Sequence, residues 1–151
     1  MTERPVGGGP ALFRVVRYLA RRGPGEDRTV HTIMVLEAVD SHGADVSVAS
    51  VAYQLGIDQS GASRFISTAI KDGHLRREVS PADRRRASLV ITAAGWTLLA
   101  NARAWQDQVF ADLTGEWDAG DARELADHLN HLATQLAGRA PHTRRARLNA
   151  T

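Results

Sequence analysis

Cysteine is missing from all 151 residues. Its absence excludes disulfides, thiolate metal sites, cysteine nucleophiles and any thiol redox switch. No run approaches eighteen apolar residues, so no segment reads as a membrane span. The stretch before residue 11 lacks the apolar core of a secretory signal. A cytoplasmic protein with no membrane partner is the expectation. A Gly-rich phosphate loop, a nucleophile elbow and an HExxH pair are also missing. His128 and His131 stand three apart, a spacing that suits one metal, but no third ligand accompanies them. The chain is therefore expected not to be an enzyme, with no catalytic residue, no metal and no cofactor. Lysine is almost absent too: Lys71 is the single one, and arginine supplies the remaining positive charge.

What is present is unevenly placed. The net charge is only +2. From residue 60 to 90 the basic residues Arg64, Lys71, Arg76, Arg77, Arg84, Arg85 and Arg86 face only Asp72, Glu78 and Asp83. From 100 to 139 the balance reverses, with Arg103, Arg123 and Arg139 against seven carboxylates. A basic middle beside an acidic C-terminal portion is what a chain needs when one surface meets phosphates.

Hydrophobic spacing orders the rest. Residues 1–10 read as a flexible leader, 11–139 as one domain and 140–151 as a disordered tail. Leu12, Val15, Val16 and Leu19 have helical spacing over 11–22, and Gly23-Pro24-Gly25 ends that helix. A second helix over 29–42 is expected to turn Val30, Ile33, Met34, Leu36 and Val39 inward, with Gly43 closing it. Val46 to Val48 is a candidate short strand. Two short helices follow, at 48–55 and 59–72, with Asp58 as N-cap and Gly73 as the terminal glycine. His74–Val79 and Ala87–Thr92 are rich in strand formers and flank Ser80–Arg86, a hairpin with a basic tip. A long helix is expected from Thr92 to about Trp117. After Asp118-Ala119-Gly120-Asp121, apolar residues recur at Ala122, Leu125, Leu129, Leu132 and Leu136, a seam for another helix.

The pair of short helices carries the function. A helix-turn-helix asks for a small residue and, four positions on, a glycine at the turn. Ala52 and Gly56 meet this, and Val51, Leu55, Ile57, Ala62 and Phe65 supply the apolar anchors. Outward from the second helix stand Gln59, Ser60, Ser63, Arg64 and Ser67, groups suited to base edges in a major groove. Arg64 fits either a base edge or a phosphate. Gly61 inside the helix fits either close approach to DNA or a frayed first turn. At the hairpin tip Arg84, Arg85 and Arg86 suit phosphates or the minor groove, and Asp83 is placed to hold Arg85 by a charged hydrogen bond.

From His74 to Gly95 the sequence HLRREVSPADRRRASLVITAAG resembles the wing of the MarR family of winged helix-turn-helix regulators. In that family an Asp-Arg-Arg loop joins two strands, and a threonine opens the following helix. Gln59-Ser60 through Ser63-Arg64 resembles its reading helix. The likeness runs over about 28–100, although His74 stands where a hydrophobic residue is more usual. It implies a mainly α fold, a winged helix over about 28–92 with a small β-hairpin wing. Dimerisation helices would flank it at about 11–22 and 93–139. It also implies a homodimer on a pseudo-palindromic double-stranded DNA operator, acting on transcription, with repression the expected sense. Tyr18, His31, Met34, Trp96 and Trp105 form a candidate effector pocket of the kind family members often have, or else pack as ordinary core. The rival reading is a winged helix used for protein contact alone.

Overall fold

A computed structural model describes residues 7–21 and 27–137. The break expected at Gly23-Pro24-Gly25, Arg139 and the tail 140–151 lie outside the described residues. In chain order the elements are α1 (Gly8–Ala20), α2 (Asp27–His42), α3 (Val48–Leu55), α4 (Gln59–Lys71), β1 (Leu75–Val79), β2 (Ala87–Ile91), α5 (Ala93–Leu113) and α6 (Ala119–Ala137). The strands pair antiparallel, with Leu75 opposite Ile91 and Val79 opposite Ala87.

Helix α2 sits at the centre. It packs on α3, α4, α5 and β2, and its Val35 and Leu36 are fully buried. Around them close Val51 and Ala52 of α3, Ala62, Ile66 and Ala69 of α4, Leu75, Leu89 and Ile91 of the hairpin, and Leu99 of α5. Because α2 has neighbours on several sides, no single apolar stripe marks its inner face. That explains one difference from expectation: Met34 points out, while Val35 takes the core position.

The ends of the chain behave differently. Neither α1 nor α6 contains a buried residue. Leu12, Phe13, Val15 and Val16 on α1, and Leu129, Leu132 and Leu136 on α6, are all exposed. Helix α1 also starts at Gly8, so Gly8, Gly9 and Pro10, expected in the leader, are helical. Proline is tolerated there because first-turn N–H groups have no helical partner to lose. Val46 is not part of a strand, although its carbonyl accepts from the Leu89 N–H at 2.9 Å, beside the sheet.

Candidate nucleic-acid interface

Local chemistry builds the two-helix unit. Ser47 and Ser50 form a reciprocal capping box at the start of α3. The turn needs a left-handed residue, and Gly56 supplies it with φ +65°. The Ile57 N–H then returns to the Ala52 carbonyl at 3.1 Å. Asp58 caps α4, its Oδ1 accepting from the Gly61 N–H at 2.5 Å. This contact accounts for the glycine: a Cβ at 61 would lie 2.8 Å from that same oxygen. Gly61 is buried, so neither a frayed turn nor approach to DNA is needed to explain it.

Helix α4 thereby divides into two faces. Ala62, Ile66 and Ala69 are buried. Gln59, Ser60, Ser63, Arg64 and Ser67, the five residues expected to read DNA, are all exposed. Among the described residues none of the five spends a side-chain hydrogen bond or an ion pair internally. Their donors and acceptors are free for another molecule.

The wing stands next to this helix in the chain and is tied to the same core. On β1 only Leu75 is buried, whereas Leu89 and Ile91 of β2 face inward. The expected strand residue His74 precedes β1; its N–H donates to Ala69 and its carbonyl accepts from Thr92. The tip is closed by Ser80 N–H to Arg86 carbonyl at 2.8 Å and Arg86 N–H to Asp83 carbonyl at 2.9 Å. Arg84, Arg85 and Arg86 are exposed and form no ion pair among the described residues. Asp83 supports the wing differently from expectation. Its Oδ1 accepts the main-chain N–H of Arg85 at 3.0 Å rather than the guanidinium. An aspartate two residues before a turn N–H reaches it more readily than a long side chain that must fold back.

Three charged contacts that no local pattern announces hold the unit in place. Arg28 at the start of α2 grips both oxygens of Asp72, the residue that ends α4. Arg103 on α5 bonds Glu37 at 2.7 and 3.0 Å and Asp40 at 2.6 Å. Hydrogen bonds to Glu37 and then Asp40 raise its pKa, so it stays charged. Ser80 donates to Asp45 across the loop between α2 and α3.

The candidate effector residues are spread out. His31 stacks on Phe65 with ring centres 4.0 Å apart, and it lines a cleft of about 280 Å³ with Arg28, Arg64 and Thr68. Trp96 lines a different cleft of about 290 Å³, beside β2 and the end of α2. Tyr18 lies on α1, Met34 is exposed and Trp105 is half-buried on α5. Within one subunit, His31 and Trp96 thus face separate cavities. His128 pairs with Glu124 and His131 with Gln135, and no metal-ligand cluster occurs among the described residues.

A family model described as the MarR family matches residues 26–86. Among curated proteins nothing matches. Solved structures do. A Pseudomonas aeruginosa protein assigned as a transcriptional regulator is 20% identical, with TM-score 0.67, covering 85% of this chain and 88% of its own. Bordetella bronchiseptica BpsR, whose DNA binding is regulated by 6-hydroxynicotinic acid, is 23% identical, with TM-score 0.61 and coverages of 85% and 94%. A mutant of S. aureus MepR bound to an oligodeoxyribonucleotide is 15% identical, with TM-score 0.57 and coverages of 84% and 96%. At such identities the likeness establishes the fold.

Proposed function

We propose that this chain, whose winged-helix segment is of the MarR family, regulates transcription as a homodimer on double-stranded DNA. One observation carries the reading. The outer face of α4 presents five polar side chains with their hydrogen-bonding capacity unspent, and a loop of three unpaired arginines follows at the hairpin tip. In this reading Gln59, Ser60, Ser63, Arg64 and Ser67 enter a major groove. Arg84, Arg85 and Arg86 lie on phosphates or in the adjoining minor groove.

Dimerisation is supported by the apolar faces of α1 and α6, which find no burial within the subunit. Exposed apolar surface of this kind marks an interface. Two reading heads related by a twofold axis call for a pseudo-palindromic operator. Its half-sites would lie roughly 34–36 Å apart, one turn of B-DNA. Repression follows if the operator overlaps a promoter. A small-molecule effector, of which BpsR gives an example, would act most directly in the cleft lined by His31 and Arg64, because that cleft touches the reading helix. To regulate, it must favour one arrangement of α4 over another.

Selection of bound fragments from a random duplex pool is the test. Enrichment of a twofold-symmetric site, lost on Ser63→Asp with Arg64→Asp, is expected. If no fragment is enriched at low salt while the protein is folded and dimeric, the winged helix serves protein contact and the DNA reading is wrong.

A further inference from the structure

The loop between α2 and α3 holds the one non-glycine residue with positive φ among the described residues, Asp45 at +54°. Short polar side chains such as aspartate and asparagine tolerate that region. The Asp45 carboxylate accepts the hydroxyl proton of Ser80, the first residue of the wing loop. Ser80 is 4% exposed. A serine hydroxyl has one proton and two lone pairs to give, and here all are used. The oxygen accepts from the Ala82 and Asp83 N–H groups, each at 3.2 Å. Asp83, so placed, takes the Arg85 N–H on its side chain and the Arg86 N–H on its carbonyl. One residue after Asp45, the Val46 carbonyl accepts from Leu89 at 2.9 Å, tying the same loop to β2. An unbroken line of hydrogen bonds runs from Asp45 to the turn that carries the arginines.

We propose that Asp45, acting through the buried Ser80 hydroxyl, is a positioning residue that sets the wing loop and so aims Arg84, Arg85 and Arg86 at DNA. The aim at DNA rests on the function proposed above; the ordering of the loop does not. Left to itself, an exposed loop with three neighbouring guanidiniums samples many conformers, since like charges repel and no core packing restrains them. The sign of the effect separates positioning from plain electrostatics. As a bare negative charge beside a basic tip, Asp45 weakens attraction to phosphates, so its removal should tighten DNA binding. A positioning role requires the opposite.

The test uses the full chain and three variants. Asp45→Gly removes the carboxylate, and glycine accepts the positive φ without strain. Asp45→Asn keeps an acceptor oxygen for Ser80 and tolerates the same backbone. Ser80→Ala breaks the line from the other side. Order parameters from ¹⁵N relaxation of the free protein are read at Ala82, Asp83, Arg85 and Arg86. They should fall from about 0.85 to below about 0.6 in Asp45→Gly and Ser80→Ala, and stay high in Asp45→Asn. Asp45→Gly should weaken binding to a selected duplex about tenfold at 0.15 M salt, each lost phosphate contact being worth about fivefold there. The same change should add nothing in a chain already lacking the three wing arginines. Wing amides as ordered in Asp45→Gly and Ser80→Ala as in the parent overturn the proposal. So does tighter DNA binding by Asp45→Gly where loss of the arginines weakens it. If loss of the arginines leaves DNA binding unchanged, the wing is no DNA contact, and the relaxation data alone decide whether Asp45 orders it.

Discussion

Removing Arg84 and Arg85 separates a DNA-contacting wing from a merely soluble one. Both side chains are exposed and form no ion pair among the described residues. Their replacement by alanine should therefore change stability by no more than about 0.5 kcal/mol. On DNA the effect should be large and dependent on salt. Each arginine laid on a phosphate releases condensed counterions worth about 0.9 in the slope of log K against log salt. Two arginines per subunit in a dimer make four contacts, so the double variant should flatten the slope by about 3.6 if all four meet phosphates. Over 0.05–0.2 M salt, the parent should then lose about 150-fold more affinity than the variant does. Fluorescence anisotropy with a labelled selected duplex measures both slopes, and thermal unfolding checks that the variant is intact. Parallel slopes would refute the assignment of these arginines to phosphates. A large fall in melting temperature would show instead that they hold the fold.

Further substitutions probe the interface, the packing and the helix cap. Leu132→Glu on α6, where Leu132 is 38% exposed within the subunit, should leave the subunit folded but drive dimer to monomer in sedimentation velocity. Each buried interface leucine is worth about 1.5–3 kcal/mol, so an unchanged dimer would place the interface elsewhere. Gly95→Ala would set a Cβ 2.2 Å from the His74 carbonyl oxygen and 2.8 Å from Ile91 Cγ2. Where α5 meets the wing the backbone cannot yield cheaply, and urea unfolding should show a loss of about 1–3 kcal/mol. Asp58→Ala should cost about 1 kcal/mol as a lost N-cap. Gly61→Ala should destabilise the parent yet stabilise Asp58→Ala by up to about 1 kcal/mol, because the oxygen it meets is then gone; additive effects in denaturant unfolding would rule out that contact.

What was legible in the sequence is what neighbours along the chain decide. Ala52 and Gly56 announce the turn, Asp58 and Thr92 the caps, and the run from Ser80 to Arg86 the hairpin tip, because each depends on residues a few positions apart. The exposure of the α4 face followed from helical period alone. Composition misled at Gly8-Gly9-Pro10, where a first helical turn tolerates residues that an interior would not. Periodicity misled at Met34, since a helix surrounded on several sides has no clean polar face to set the phase. At Asp83 the spacing correctly named a partner residue but not the atom, main chain instead of guanidinium.

The contacts that were not legible share one property: they join residues far apart in the chain, and each ends on α2 or its following loop. Arg28 fastens the C-terminal end of the reading helix through Asp72. Glu37 and Asp40 fasten α5 through Arg103, and Asp45 fastens the wing through Ser80. Exposed ion pairs like these contribute modestly to stability, so stability is a poor account of why three fall on one element. Position is a better one. A reading helix and a wing must fit one duplex together, and α2 is the rigid body to which both are pinned. Changes on its polar side that touch no DNA should therefore shift DNA affinity more than they shift melting. Arg28→Ala is the sharpest case, since it frees the end of α4 without uncovering the core. Comparable losses in unfolding free energy and in binding free energy would show α2 to be ordinary scaffold.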